Sequence, residues 1–175
     1  MAEAKALFLD RDGVINQRIV GGYVRTRSEF HIIGGVIPIM RMAHERGYLL
    51  IVISNQQGVG KGLMTFAELE DVHAYMQELL SRELGRGLDE IRVCTDLDSA
   101  KSPRRKPAPG MLLEAIAEYD IDPKCSWFLG DSITDAQAGM ACGVNTALIG
   151  EFKSWEAQIV APSHNIALEA LNSVL

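Results

Sequence analysis

Short apolar runs alternate along the chain with stretches whose apolar residues recur at helical spacing. Residues 6–9 (ALFL) read as a first strand. An irregular stretch over 16–35 follows, then a helix with Val36, Ile39, Met40 and Ala43 on one face that stops at Gly47. A second strand covers 48–53 (YLLIVI). Thr65 and Glu68 have capping-box spacing and open a long helix whose inner stripe is Leu69, Val72, Met76, Leu79 and Leu80, with Gly85 and Gly87 ending it. His73 is assigned to the outer face of that helix. A third strand near 90–95 precedes a helix over 109–119 that has proline in its first turn. A fourth strand at 126–129 (SWFL), a short helix at 135–142, a fifth strand at 145–149 and an amphipathic helix over 163–175 complete the chain. Strand and helix in strict alternation imply right-handed crossovers, hence an α/β fold with a doubly wound parallel sheet.

Size and composition narrow this picture. A chain of 175 residues, 47% hydrophobic, suits one domain over 1–175 with one buried core. The net charge of −6 and the lack of a dense basic block argue against nucleic acid as the main partner, so an acidic substrate has to be met by local cations. Arg104, Arg105 and Lys106 are the densest such group. No apolar run approaches the roughly 20 residues that span a bilayer, and the first residues lack the apolar segment of a signal peptide. A cytoplasmic enzyme is expected, with no membrane partner, working as a monomer or small homo-oligomer. Cys94, Cys125 and Cys142 are odd in number and lack CxxC spacing, so they read as buried, reduced thiols. Trp127, Trp155 and the seven methionines read as packing residues.

The chemistry begins where the first strand stops. Asp10-Arg11-Asp12-Gly13 puts two carboxylates at the carboxyl end of that strand, where open α/β sheets carry their sites. One carboxylate can attack phosphorus, while the other passes protons to the leaving group and from water. A solvated turn would explain this pair alone, but three later segments each follow an apolar run. Ser54-Asn55-Gln56-Gln57-Gly58 follows the second strand, Arg105-Lys106-Pro107 ends the loop after the third, and Gly130-Asp131-Ser132-Ile133-Thr134-Asp135 follows the fourth. If the strands are parallel neighbours, a hydroxyl, a cation and an acidic pair converge on Asp10. Capping of a helix N-terminus is the plainer role for Asp131 and Asp135.

With these motifs in place, the chain resembles the haloacid dehalogenase (HAD) superfamily of phosphatases. Asp10 to Asn16 matches the first motif, Ser54 the second, Lys106 the third, and Gly130-Asp131 with Asp135 the fourth. Within the superfamily it is most similar to the D-glycero-D-manno-heptose 1,7-bisphosphate phosphatase and histidinol-phosphatase group. The segments that carry this closer likeness are 22–30, 54–62 and 105–111. The resemblance implies that Asp10 is the nucleophile and Asp12 the acid/base. It implies Mg²⁺ held by Asp10, Asp131 and the backbone carbonyl of Asp12, with Ser54 and Lys106 on the phosphoryl oxygens. Asp135 would act in the second layer, orienting Lys106 or a metal-bound water.

The intervals from Asp12 to Ser54 and from Ser54 to Lys106 are used up by core elements, so no cap domain is expected. Substrate choice then falls to loops at 17–30, 55–62 and 95–105, with Asn55, Gln56, Gln57 and Arg105 as the candidate contacts. Arg105 would hold a second anionic group or sugar hydroxyls. The heptose group usually carries a structural zinc on cysteines and a histidine before the Arg-Lys-Pro motif. This chain offers Cys94-Thr95-Asp96-Leu97-Asp98 and then Ser99 to Pro103, so zinc is expected to be absent. The leading expectation is a Mg²⁺-dependent phosphomonoesterase for a small phosphorylated sugar, heptose bisphosphate (7-phosphate removed) first and histidinol phosphate second. A polynucleotide 3′-phosphatase shares the uncapped plan but conflicts with the acidity. A phosphoryl-accepting regulator has no need of Asp12 together with Ser54 and Lys106.

Overall fold

The computed structural model describes residues 4–175. Its elements run β1 (Lys5–Leu9), α1 (Val36–Glu45), β2 (Tyr48–Asn55), α2 (Gln57–Gly60), α3 (Phe66–Leu84), β3 (Glu90–Cys94), α4 (Gly110–Tyr119), β4 (Trp127–Gly130), α5 (Ile133–Ala141), β5 (Asn145–Ile149), β6 (Ile159–Ala161) and α6 (His164–Asn172). The strands form one sheet in the order β3-β2-β1-β4-β5-β6, and every pairing is parallel. The chain leaves β1 toward β3 and then returns to β4 on the other side of β1. That reversal opens a crevice beyond the carboxyl end of β1. Leu9 is in register with both Val52 and Leu129, so the exits of β1, β2 and β4 lie together.

Side-chain alternation along the strands supplies two apolar faces. Leu7, Leu9, Leu50, Val52 and Leu129 pack with Ile39 and Met40 of α1, Val72, Met76 and Leu80 of α3, and Leu171 of α6. On the other face Phe8, Ile51, Ile53 and Phe128 meet Met111, Leu112 and Ala115 of α4 and Ala138 of α5. Phe8 and Phe128 meet edge to face with centroids 6.4 Å apart. Covering both faces is what lets β1 and β2 be almost continuously apolar. No domain is inserted between these elements among the described residues.

The expected elements form, with several differences, among them a second strand that runs on to Asn55. The three-residue strand β6 pairs with β5 at the sheet edge, in a stretch with no predicted element. A single turn, α2, follows β2 where a loop was expected. Helix α5 starts at Ile133 because Ser132 is its N-cap and Asp135 closes a capping box. The last helix ends at Asn172, short of the expected 175. The capping box of α3 is present: Thr65 Oγ1 accepts from the Glu68 amide at 3.1 Å and Glu68 Oε2 from the Thr65 amide at 2.6 Å.

Several side-chain expectations are corrected. His73 is buried on the inner face of α3. Trp155 is 74% exposed, with Lys153 over its ring, and Met140 is exposed as well, while Met1 lies outside the described residues. Of the three thiols, Cys94 is buried, Cys142 half-buried and Cys125 exposed.

Candidate active site

Asp10 is the first residue beyond β1, and its amide continues the ladder by donating to Leu129 O at 3.0 Å. The chain then turns so tightly that the amides of Val14, Ile15 and Asn16 all reach Arg11 O. Gly13 makes the turn at φ +93°, and a Cβ there would run into Asp131 Oδ2. Glycine is therefore required twice over, by conformation and by contact. The turn places Asp12 above Asp10 and brings Asp131, from the end of β4, against them.

Lys106 enters from the loop before α4. Both ends of the Asn55 amide clamp its backbone: Nδ2 donates to Lys106 O at 3.0 Å and Oδ1 accepts from Lys106 N at 3.1 Å. The buried Lys106 ammonium donates to Ile53 O at 2.8 Å and pairs with Asp10 Oδ1 at 3.0 Å and Asp135 Oδ1 at 2.7 Å. Asp135 Oδ2 accepts from the amides of Asp131 and Ser132, each at 3.1 Å, and from Ser132 Oγ at 2.7 Å. Asp135 thus caps its helix and orients the lysine at once.

The two leading carboxylates have opposite surroundings. Burial pushes Asp10 up to about 7; Lys106 opposes the rise, and Asp135 and Asp131 add to it. Burial also works to raise Asp12, but Arg11 beside it and hydrogen bonds from Asn16, Arg11 and Gln56 outweigh that and hold it below the usual range. Arg11 Nη2 lies 3.0 Å from both Asp12 oxygens, Asn16 Nδ2 lies 2.9 Å from Oδ1, and Gln56 Nε2 lies 2.8 Å from Oδ2. Asp131 is raised to about 6, by burial first, with Arg18 opposing and Asp135 adding. For Lys106, burial works to lower the ammonium, and Asp10 and Asp135 reverse this and raise it.

Oxygen atoms of Asp10, Asp131 and Asp135 lie within 4.8 Å of one another. Lys106 pairs with Asp10 and Asp135, and the half-exposed Arg18 reaches Asp131 from the outer side, so three carboxylates meet two cations and one negative charge is left over. An all-oxygen donor set of that kind fits a hard divalent cation. Asp135 is already committed to Lys106 and the amides, which leaves Asp10 and Asp131 as the side chains to face it.

A cavity of about 510 Å³ opens over these groups, lined by Asp10, Asp12, Asn55, Gln57, Arg105, Lys106 and Asp135 among others. Ser54 and Gln56 do not line it. Both are buried, with Gln56 Nε2 donating to Ser54 Oγ at 2.8 Å as well as to Asp12. The expected substrate contact by Gln56 is thus corrected: a buried carboxylate needs donors, and Gln56 is one of them. Ser54 Oγ likewise serves the layer beneath the cavity floor in this arrangement. Arg105 reaches over the 95–105 loop to Asp96 O at 3.3 Å and Asp98 Oδ1 at 3.5 Å.

Sequence reasoning missed Arg11, Asn16, Arg18 and His73. Arg18 Nη2 pairs with Asp131 Oδ1 at 2.8 Å. Nothing in the irregular 16–35 stretch announced that contact. For His73 a signal existed, because it continues the stripe of Leu69, Val72 and Met76 at helical spacing.

Comparison with known proteins agrees with this geometry. A family model described as HAD-hydrolase-like matches residues 103–172. The D-glycero-beta-D-manno-heptose-1,7-bisphosphate 7-phosphatase of Helicobacter pylori is 38% identical over 145 residues, covering 83% of each chain. The alpha-heptose counterpart from Campylobacter jejuni is 36% identical over 147 residues, 84% of this chain and 83% of its own. A crystal structure of the D,D-heptose 1,7-bisphosphate phosphatase of B. bronchiseptica, complexed with magnesium and phosphate, superposes with a TM-score of 0.85. It is 27% identical and covers 97% of this chain and 98% of its own.

Proposed function

The chain belongs to the heptose-1,7-bisphosphate 7-phosphatases among the HAD-like hydrolases, and from that premise we propose that it removes the 7-phosphate of D-glycero-D-manno-heptose 1,7-bisphosphate, with Asp10 as nucleophile. One observation carries the assignment of roles. Every hydrogen bond and ion pair described for Asp10 goes to Oδ1, so Oδ2 is free to meet phosphorus, whereas both Asp12 oxygens are taken by donors.

Asp10 Oδ2 attacks phosphorus in line, the ester bond breaks, and an aspartyl-phosphate forms. Asp12 rests as a carboxylate, takes up one proton when the phosphate ester brings its negative charge beside it, and gives that proton to the departing sugar oxygen. Held among cationic and amide donors, the protonated Asp12 is a strong acid, and its release of the proton restores the Arg11 pair. Asp12 then takes a proton from water, which attacks the phosphorus of the aspartyl-phosphate and frees phosphate and Asp10. Lys106 stabilises the charge on the transferring group, and Asp135 and Ile53 O hold its ammonium in place. Mg²⁺, bound by Asp10, Asp131 and the Asp12 carbonyl, would hold Asp10 ionised and neutralise phosphoryl charge. Gln57 and Arg105, on the cavity wall, suit the rest of the substrate, Arg105 its remote phosphate. No helix among the described residues is long and apolar enough to cross a membrane. We read the whole chain as one catalytic unit, at work in the cytoplasm on a diffusible substrate.

The test is phosphate release, with Mg²⁺ present, from both anomers of the heptose bisphosphate, from histidinol phosphate and from a 3′-phosphorylated oligonucleotide, with Asp10→Asn in parallel. The heptose bisphosphates should give the highest kcat/KM, and Asp10→Asn should lose turnover by orders of magnitude while it stays folded. A preference for histidinol phosphate or the oligonucleotide would reject the substrate; an active Asp10→Asn protein would reject the nucleophile.

A further inference from the structure

The buried His73 is not used by the chemistry above. Its imidazole comes from the inner face of α3, and its Nε2 lies 3.1 Å from Arg11 Nη1. A guanidinium can only donate, so Nε2 accepts and the ring proton sits on Nδ1. Burial, with Arg11 adding to it, lowers His73 to about 4, so the ring stays a neutral acceptor near neutral pH.

Arg11 is itself fully buried, and its Nη2 makes the pair of 3.0 Å hydrogen bonds to Asp12. Its Nε has no partner. Among the described residues the head group hydrogen-bonds to two side chains, Asp12 and His73. Without the second, Nη1 is a buried donor with nothing to donate to, and the guanidinium gains by rotating toward another acceptor. The plane that presents Nη2 to both Asp12 oxygens is lost in that rotation. A line of contact thus runs from a core helix through imidazole and guanidinium to the carboxylate over the cavity.

We propose that His73 is a positioning residue that anchors Arg11 and so fixes the Asp12 carboxylate where it protonates the leaving oxygen. The proposal rests on the reading of Asp12 as acid/base, and it predicts an effect graded by leaving group. A sugar alkoxide must be protonated as it departs, whereas p-nitrophenolate leaves without help. Because kcat/KM reports the steps through ester cleavage, misplacement of Asp12 shows there for the first substrate and little for the second.

The experiment compares His73→Leu with His73→Gln, whose amide oxygen can still accept from Arg11, on an alkyl phosphate and on p-nitrophenyl phosphate. His73→Leu should lower kcat/KM about tenfold on the alkyl ester and less than about twofold on the aryl ester, and His73→Gln should restore most of the difference. Equal losses on both esters, full alkyl activity in His73→Leu, or no recovery in His73→Gln would overturn the proposal. Nitrogen-15 NMR of the wild-type protein tests the contact even if a variant fails to fold. An unprotonated Nε2 is expected, and a protonated one overturns the arrangement. Asp12→Asn separates the two ideas: if it keeps alkyl turnover, the acid/base reading falls and the positioning role with it. If Asp12→Asn is impaired and His73→Leu is not, only the positioning role falls.

Discussion

Arg105 and Lys106 are adjacent, yet they turn to different ends of one cavity. The Lys106 ammonium is buried against Asp10, Asp135 and Ile53 O, while Arg105 lies across the outer loop against Asp96 O and Asp98. Lys106→Ala should lower kcat about 10²-fold on every phosphate ester, since it removes charge from the transferring group. Arg105→Ala should raise KM for a bisphosphate far more than for a simple aryl phosphate. Steady-state kinetics on both substrates check this, and equal effects would reject the division. Asp10, Asp12 and Asp131 were legible because each stands where an apolar run gives way to a loop, and Lys106 because it ends the polar loop that follows the third strand. Arg11, Asn16 and Gln56 were not recognised as the cage of Asp12, because Gln56 reaches it from across the sheet and only packing shows which carboxylate must be solvated by protein.

At the scale of elements, local signals were read most faithfully. The Thr65-x-x-Glu68 spacing predicts a helix start, and the structure has both reciprocal bonds there. Thr65→Ala should destabilise the protein by about 1 kcal/mol, measured as a lower midpoint in urea with an unchanged slope. An unaltered midpoint would mean that this helix start is held by packing instead. The strand β6 was not legible, since three residues are too few to show alternation and their extended form depends on β5 beside them. The single turn α2 was hidden for a related reason. It follows directly on β2, which runs on to Asn55, and four residues are too few to show helical periodicity.

At the scale of the molecule, the proposed Mg²⁺ site and the expected lack of zinc can each be tested directly. Exhaustive chelation should abolish turnover and Mg²⁺ should restore it; full activity in verified metal-free protein would contradict the proposed site. Zinc should be found at well under one per chain in protein purified without added metal. In the loop that stands where the heptose group usually carries its zinc, Cys94 Sγ donates to Asp96 Oδ2 at 3.5 Å and to Ser102 Oγ at 3.9 Å, with Arg105 bound across it. Stoichiometric, tightly held zinc in elemental analysis would overturn that expectation. The sequence by itself determined the alternating fold class, the places of the first five strands along the chain and the four motifs that meet at the sheet edge, because strand exits and helix starts are written in local periodicity and capping chemistry. Only the tertiary structure decided which groups face the cavity and which lie beneath it. It turned Gln56 inward to Asp12, brought Arg18 to Asp131 and set His73 behind Arg11. Each of these is a contact between distant segments, and a buried polar group takes whichever partner the packing brings within hydrogen-bond reach.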